Sequence, residues 1–486
     1  MMIGEAATGG GSARIAPILD ENNDVSSRTE SKSEEEFVII VPESEPPQDE
    51  LEPWLPITES RKGNTFTVAF HLICSGIGVQ PLLLPIALAY LGWFWGIFCL
   101  SVLFWWQLYT IWLLLNLHEP VAGIRYSTFL NLSMFAFGKK LGKLVALFPV
   151  LYLSGGTCVF YIISGGSAMN QFYRAICGND LKCKERTLKV SEWLLVFICL
   201  ATFTDLFFMN LNKLYRVSLV GSFTAVAYCS LLWVLSVSEG RLADVSGDST
   251  MKVETTDTGA RVRNVFNGIG IIALAFRGHN LVLEIQGTLP TSPTQPSRKP
   301  MWRGVTISYL LIAMCMYPLV IVGHWAYGSK VIVNGGILDA FTKFHQIHTS
   351  NYIMGAIYFL TSINSLCAFQ IYAMPVHDNL EHIYISKKKK PCPRWLRCGI
   401  KIFFGGLTYF VAKAFPFLPS LGAIIGSIAV SCGLPSIKKP RTLGNMWCVN
   451  ISVGLLGVVL SLVLLSSAIW SLIVTGLDSN FFKPRQ

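Results

Sequence analysis

The chain has 486 residues, of which 52% are hydrophobic and 14% charged, against roughly 25% charged in typical soluble domains. This balance excludes an ordinary soluble enzyme and a disordered chain, and it indicates a protein that crosses a membrane several times. The net charge is +10, but residues 1–64 hold 14 acidic and five basic side chains. The rest of the chain is therefore more basic than the total suggests, and its lysines and arginines lie in short loops. They form no pattern of basic and aromatic residues that would indicate a groove for nucleic acid.

The first 63 residues are rich in serine, glutamate and proline and contain no apolar run long enough for a core. They are predicted to form a disordered, acidic, cytosolic tail. The amino end resembles no cleavable signal peptide, so the first apolar span must act as its own insertion signal. The acidic, serine-rich tail suits phosphorylation, which makes a kinase or a regulatory protein a candidate partner.

Apolar runs long enough to cross a bilayer follow the tail. A helix needs about 20 apolar residues to cross the hydrocarbon layer. Eleven runs meet this condition: 65–90, 93–116, 143–168, 192–211, 216–237, 264–286, 303–326, 351–375, 399–416, 418–436 and 446–475. We therefore predict an all-α polytopic membrane protein with a ten-helix core over 64–436 and an eleventh helix within 437–486.

Basic residues in the short loops set the predicted orientation, because lysine and arginine accumulate on the cytoplasmic side. Alternate loops are the more basic ones and end in two clear runs, Lys387–Lys390 and Lys438–Arg441. The amino end is therefore predicted to be cytosolic and the carboxyl end external. The run Lys387–Lys390 is expected to lie against anionic lipid at the inner face of the bilayer.

Two spans at matching positions of the two five-helix halves are interrupted. The first contains 75–81 and the sixth contains 276–280, both rich in glycine or polar residues. Such paired interruptions indicate a transporter binding site, because the freed backbone groups must line a cavity or meet a ligand. The alternative is close helix packing. That alternative explains Gly165–Gly166 well, but it explains an arginine in mid-membrane poorly.

The run Ala275–Gln286 resembles the sixth-helix signature of the amino acid/auxin permease family, and more narrowly its plant lysine/histidine-transporter-like branch. Ala69–His71, Pro300–Val305 and His324–Gly328 add to the resemblance. It implies a five-plus-five inverted repeat with broken helices 1 and 6, like that of bacterial leucine transporters. It also implies proton-coupled uptake of small amino acids at the plasma membrane, with protons as the coupling ion and no cofactor or metal.

The resemblance also implies roles for individual residues. Backbone groups of 75–78 would hold the substrate carboxylate, Phe276 would stack over the substrate, Asn280 would take its amino group, and Ser362 or Asn364 would complete a polar wall. Two departures from the family pattern face this site, Gln80 and Arg277. The candidate substrate-binding residues are Ser75, Gly76, Ile77, Gly78, Phe276, Arg277, Gly278, His279, Asn280 and Ser362.

His279 and Glu284 are the proton-coupling candidates, because both side chains can titrate and both lie in the sixth span. His279 is alternatively a neutral residue that bonds freed carbonyls. Glu284 alternatively lies near the inner mouth and pairs with Arg298 or Lys299. Asp205 is a weaker candidate, because it can lie at the headgroup end of its span.

Arg277 needs a partner in the membrane. Glu284, Asp205 and the substrate are all candidates, and a fourth interpretation has the guanidinium replace a bound cation. We favour the cleft-facing alternatives, in which Arg277 favours anionic groups and repels lysine-like side chains.

The 13 cysteines form no CxxC pair and no zinc-like cluster. Cys177 and Cys183 share one polar loop predicted to be external, where they form either a disulfide or two free thiols.

Alternatives to amino acid import are a carrier of auxin-like indole carboxylates and an amino acid receptor that does not transport. An enzyme is not predicted, because the chain shows no nucleophile–base pair and no phosphate loop.

Overall fold

The computed structural model describes residues 54–58, 61–119, 125–178, 183, 187–207, 214–242, 245, 258–276, 281–292, 295–346, 348–414 and 444–475. The predicted tenth span, most of the predicted tail and Arg277–Asn280 lie outside these residues. The helix count of eleven is therefore still a prediction.

The described residues are helical almost throughout. Their helices are α1 (Thr65–Gly76), α2 (Leu84–His118), α3 (Phe129–Phe137), α4 (Lys139–Pro149), α5 (Gly155–Cys177), α6 (Val190–Phe207), α7 (Tyr215–Glu239), α8 (Thr258–Ala275), α9 (Val282–Gly287), α10 (Arg298–Tyr327), α11 (Lys330–Asn334), α12 (Ile337–His345), α13 (Asn351–Lys388), α14 (Arg394–Ala414) and α15 (Gly444–Thr475). A 3₁₀ turn spans Gln80–Leu83 and a π turn spans Val150–Ser154. Within the described ranges, β-structure is limited to one bridge between Ser292 and Gln295. The predicted all-α class is confirmed.

Five helical stretches in the described part of the chain are long and apolar enough to cross a membrane. They are Thr65–His118, Val190–Phe207, Tyr215–Glu239, Arg298–Tyr327 and Asn351–Lys388. The first of them contains two predicted spans. Gly92 separates these two spans, because its φ of +78° takes the backbone out of the helix.

The first span is broken where the sequence predicts. α1 is capped by Asn64, whose Oδ1 accepts a hydrogen bond from Thr67 N at 2.9 Å, and it ends at Gly76. The chain resumes as the 3₁₀ turn, with Pro81 in its first turn, and then as α2. Proline suits these starting positions because it lacks the N–H that a helix start leaves unpaired.

The sixth span also consists of two helices. α8 ends at Ala275, and α9 begins at Val282 and has only six residues. Arg277–Asn280, which include the predicted charged residues, lie between these two helices and outside the described residues.

Small residues let the membrane helices approach closely, as expected for Gly165–Gly166. A Cβ atom on Gly165 would collide with the ring of Phe197, and one on Gly166 would collide with Leu194. α5 and α6 therefore touch through these two glycines. The packing interpretation of this pair is confirmed.

A short segment of the predicted tail is packed rather than free. Leu55 and Ile57 are buried, and Ile57 N donates to Asp378 Oδ1 of α13 at 3.3 Å. Leu55 packs against Ile385 and Cys392. The prediction of a disordered tail up to residue 63 does not hold for Trp54–Thr58, because these apolar side chains find a hydrophobic surface beside α13.

The disulfide between Cys177 and Cys183 is present, with the two Cα atoms 5.6 Å apart. Cys177 ends α5, and Cys183 lies between α5 and α6 in the chain. Of the two alternatives, the disulfide is the one confirmed.

A membrane-impermeant thiol reagent applied to intact cells is expected to label this pair only after reduction, because a disulfide has no free thiol to react. Mass spectrometry of the peptide that contains Cys183 measures the labelling. The variant Cys177→Ser/Cys183→Ser should lose the increment that reduction produces. Equal labelling before and after reduction would contradict the bridge, and no labelling in either case would contradict the external position of the loop.

Candidate functional site

Tyrosine hydroxyls from two other helices meet the carbonyl groups freed by the break in the first span. Tyr372 of α13 donates to Ser75 O at 3.2 Å, and Tyr228 of α7 donates to Gly78 O. All four residues are buried. Breaking the helix is therefore tolerated on its carbonyl side, because these hydroxyls replace the lost helical partners.

Gly78 lies against a second polar contact. Gln80 Nε2 donates to the hydroxyl of Tyr161 of α5 at 3.0 Å, and Gln80 Oε1 has no partner among the described residues. A Cβ atom on Gly78 would collide with both the Tyr161 hydroxyl and Gln80 Oε1. The family departure at Gln80 thus has a structural role here, because its amide fixes Tyr161 beside the break.

Phe276, predicted to stack over the substrate, lies in an aromatic wall. Its ring meets Phe104 of α2 edge to face, with centroids 5.9 Å apart. Phe104 also lies 5.9 Å from Tyr309 of α10, whose hydroxyl accepts a hydrogen bond from Gln107 at 3.1 Å. Phe276 is therefore held by its neighbours.

The predicted polar wall of α13 is already engaged within the protein. Ser362 Oγ donates to Tyr358 O of its own helix at 2.9 Å. Asn364 Nδ2 donates to Gly221 O of α7 at 3.0 Å, and its Oδ1 has no described partner. Asn364 ties α13 to α7, whereas Ser362 makes only a local contact.

Glu284 is buried at 2% exposure and lies at the amino end of α3, where its Oε1 accepts a hydrogen bond from Phe129 N at 3.4 Å. The helix start offers N–H groups and a positive dipole end to the carboxylate. Oε2 has no described partner. Arg298 is one of the two residues predicted as alternative partners of Glu284. It donates instead to Asn116 Oδ1 at 2.8 Å.

Asp205, a candidate partner for Arg277, has partners of its own. Lys401 Nζ of α14 lies 3.0 Å from Asp205 Oδ1, and His377 Nδ1 of α13 lies 3.4 Å from Oδ2. Arg277, Gly278, His279 and Asn280 lie outside the described residues, so their roles stay predictions.

Sequence analysis did not identify the three tyrosines Tyr161, Tyr228 and Tyr372. A signal was present, because a buried tyrosine hydroxyl in an apolar helix must find a polar partner. The sequence does not show which carbonyl that partner is, since the helices concerned are far apart along the chain.

The two ends of the broken span differ in access. A cavity of about 600 Å³ adjoins the break and is lined by Val79, Leu82 and residues of α5, α12 and α13. At the other end, Gly63 N donates to Thr288 O at 3.0 Å and the Trp54–Thr58 segment covers α13. The described part of the chain is thus open beside α12 and packed at the end that carries Lys387–Lys388. No grouping of three metal-ligating side chains occurs among the described residues.

Residues 61–436 match the family described as "transmembrane amino acid transporter protein". The chain is 44% identical to lysine histidine transporter-like 7 of Arabidopsis thaliana over 441 residues, 89% of this chain and 90% of the relative. It is 43% identical to lysine histidine transporter-like 8 of the same plant, over 90% of this chain and 84% of the relative.

The fold is similar to that of MhsT, solved in complex with L-phenylalanine, with a TM-score of 0.54 at 12% identity. That match covers 84% of this chain and 99% of MhsT. A Na⁺-coupled sialic acid symporter gives a TM-score of 0.52 over 85% of this chain and 92% of its own. The helices therefore adopt the leucine-transporter-like arrangement that the resemblance implies. This chain belongs to the transmembrane amino acid transporter family, in its plant lysine/histidine-transporter-like branch.

Proposed function

We propose that the protein imports small amino acids across the plasma membrane in symport with protons, with its amino end in the cytosol. The observation that carries the proposal is the broken first span, with its carbonyls bound by tyrosines and a cavity beside it that α12 lines. A site that opens to one face while the other is packed is what alternating access requires.

The substrate carboxylate is assigned to backbone groups at 75–78. Ser75 and Gly76 lie within α1 and Ile77 N donates to Ile73 O at 2.8 Å, so Gly78 N–H is the one of these four amides without a partner among the described residues, and it is the one that can receive the carboxylate. Phe276 covers the substrate side chain. The names of the two plant relatives mention lysine and histidine, so both amino acids belong in the test panel beside small neutral ones.

Uptake of labelled amino acids into proteoliposomes tests the proposal. We expect uptake to rise when the outside is acidified and to collapse with a protonophore, because the proton gradient supplies the driving force. Sodium-dependent uptake that ignores the protonophore would overturn the proton coupling. Binding without uptake would indicate a receptor, and uptake of indole acetate alone would indicate the auxin-like alternative.

The variant Glu284→Gln, measured in the same proteoliposome experiment, tests whether Glu284 is the proton-coupling group. The amide retains the acceptor for Phe129 N but cannot exchange a proton, so exchange of amino acid across the membrane should persist while accumulation driven by the proton gradient is lost. Glu192→Gln is a matched control, because Glu192 is exposed at the start of α6. Normal proton-driven accumulation by Glu284→Gln would exclude Glu284 as the coupling group and leave His279.

The acidic tail is proposed to bind a kinase or a regulatory protein, on the basis of its serine-rich composition alone. Its junction with the core, at Trp54–Thr58, contacts α13, so an event in the tail would act where the cytosolic end is packed.

A further inference from the structure

The cavity beside α12 has a wall of its own, distinct from the broken span. Val79 and Leu82 line the side nearest the break, whereas α12 contributes Asp339, Thr342 and Lys343. The volume of about 600 Å³ falls within the range typical of small-molecule sites. The cavity is therefore large enough to hold an amino acid before it reaches residues 75–78.

Two opposite charges face this cavity from one helix. Asp339 and Lys343 lie four residues apart on α12, which places their Cβ atoms roughly 5–6 Å apart on one face. The Asp339 carboxylate forms no ion pair or hydrogen bond with the described residues, and Lys343 Nζ lies over the ring of Phe344, 5.9 Å from its centroid. Both charged groups are available to a ligand.

Asn170 of α5 lines the cavity from the opposite wall. It is 5% exposed, and its Oδ1 has no hydrogen-bond partner among the described residues. A buried acceptor without a donor is unfavourable, because it has lost its hydrogen bonds to water. An ammonium group in the cavity would supply that donor.

The charges are not what holds α12 in place. Ile337, Ala340 and Phe341 are fully buried, and the hydroxyls of Thr342 and Tyr358 bond to each other across to α13. Asp339 remains open to the cavity. Its substitution should therefore leave the fold intact.

The protein around the carboxyl group raises the pKa of Asp339 from 3.8 to about 6, because it displaces part of the water that would stabilise the charge. The side chain is therefore ionised above about pH 6 and neutral below it. Variants that change the charge of Asp339 should therefore be compared with the wild-type protein at about pH 7, where this carboxyl group is ionised.

We propose that Asp339, Lys343 and Asn170 form an outer binding site for zwitterionic amino acids, which a substrate occupies before it reaches the central site. The ammonium group lies between Asp339 and Asn170 Oδ1, and the carboxylate faces Lys343. The site rests on the proposed transport of amino acids, since it supplies the same substrate to the same break.

A cysteine at Ser167, a half-buried residue of the cavity wall, reports occupancy through its reaction with an impermeant thiol reagent. Gly78→Val, whose side chain collides with Tyr161 and Gln80 and so disrupts the proposed central site, is combined with it so that only the outer site remains. We expect a transported amino acid to slow labelling in this background. Asp339→Asn or Lys343→Gln should raise the half-protecting concentration about tenfold, since a hydrogen bond to a charged group contributes about 1.5–3 kcal/mol.

Glu192→Gln removes an exposed acidic charge at the start of α6. This control variant should leave the protection of Ser167→Cys from labelling unchanged. Gln171→Cys is a second reporter on the same wall in case Ser167→Cys does not fold. Loss of protection by Gly78→Val alone, or protection that ignores both charge variants, would overturn the outer site. Protection without any uptake by the wild-type protein would refute the transport proposal and leave the site standing.

Discussion

Replacing Lys401 with methionine is expected to lower the free energy of unfolding by about 3–5 kcal/mol, because it leaves a buried carboxylate without its lysine. Lys401 and Asp205 are 2% and 3% exposed. Lys401 Nζ donates to Asp205 Oδ1 at 3.0 Å and to Asp205 O at 2.6 Å, near the carboxyl end of α6. The lysine therefore neutralises a side chain and also satisfies a carbonyl of the last helical turn.

Unfolding of the purified protein in detergent, by denaturant or by heat, measures this effect, with surface abundance as a second readout. Asp205→Asn/Lys401→Met removes both charges and should recover much of the lost stability, because a buried charge without its partner destabilises the protein more than the absence of both charges. Lys413→Met on the same helix is the matched control, since Lys413 is only half-buried. Equal unfolding of Lys401→Met and Lys413→Met would contradict the assigned role.

The charged cluster extends along α13 and α14. Arg397 Nε lies 3.0 Å from Glu381 Oε2, and Glu381 is fully buried. His377, one turn before Glu381, lies beside Asp205. Sequence analysis considered Asp205 as a partner for Arg277, or as a residue at the headgroup end. It did not identify Lys401, because pairing between α6 and α14 depends on how the helices are arranged in space.

Local signals predicted the interrupted spans and the Gly165–Gly166 contact, and they gave the disulfide as one of two alternatives for Cys177 and Cys183. Glycine and proline act on their own stretch of backbone, so they can be interpreted without knowing the neighbours. Bounds that depend on tertiary partners were less accurate. The eighth span was predicted to end at 375, whereas α13 continues to Lys388. Hydropathy stops where Asp378 and Glu381 begin, but both side chains have protein partners, so the helix stays buried there.

The candidate site shows the same division. The position of the break at 75–78 follows from the sequence, whereas the hydroxyls of Tyr228 and Tyr372 that stabilise it come from α7 and α13. The amide of Gln80 is another example. The sequence marks it as a departure from the family pattern, and only the packing shows that it holds the Tyr161 hydroxyl.

Gly78 lies where these contacts converge. Its carbonyl accepts the Tyr228 hydroxyl, and the space that a side chain would need is filled by the Tyr161 hydroxyl and by Gln80 Oε1. These neighbours are buried and packed by their own helices, so they cannot move aside without breaking the Gln80–Tyr161 hydrogen bond. Any side chain at 78 must shift either Tyr161 or the backbone that is proposed to hold the substrate carboxylate.

Gly78→Val is therefore expected to reduce amino acid uptake by about 100-fold at matched surface abundance, since a displacement of about 1 Å in a positioned site has effects of this size. Initial uptake rates in proteoliposomes measure the loss. Gly406→Val is the matched control, because a Cβ atom at Gly406 of α14 meets no atom within 4 Å. Gly78→Ala should show a smaller loss, and adding Tyr161→Phe should restore part of it, because the substitution removes the hydroxyl that collides. Uptake by Gly78→Val at the level of Gly406→Val would show that the substrate does not bind at the break in the first span.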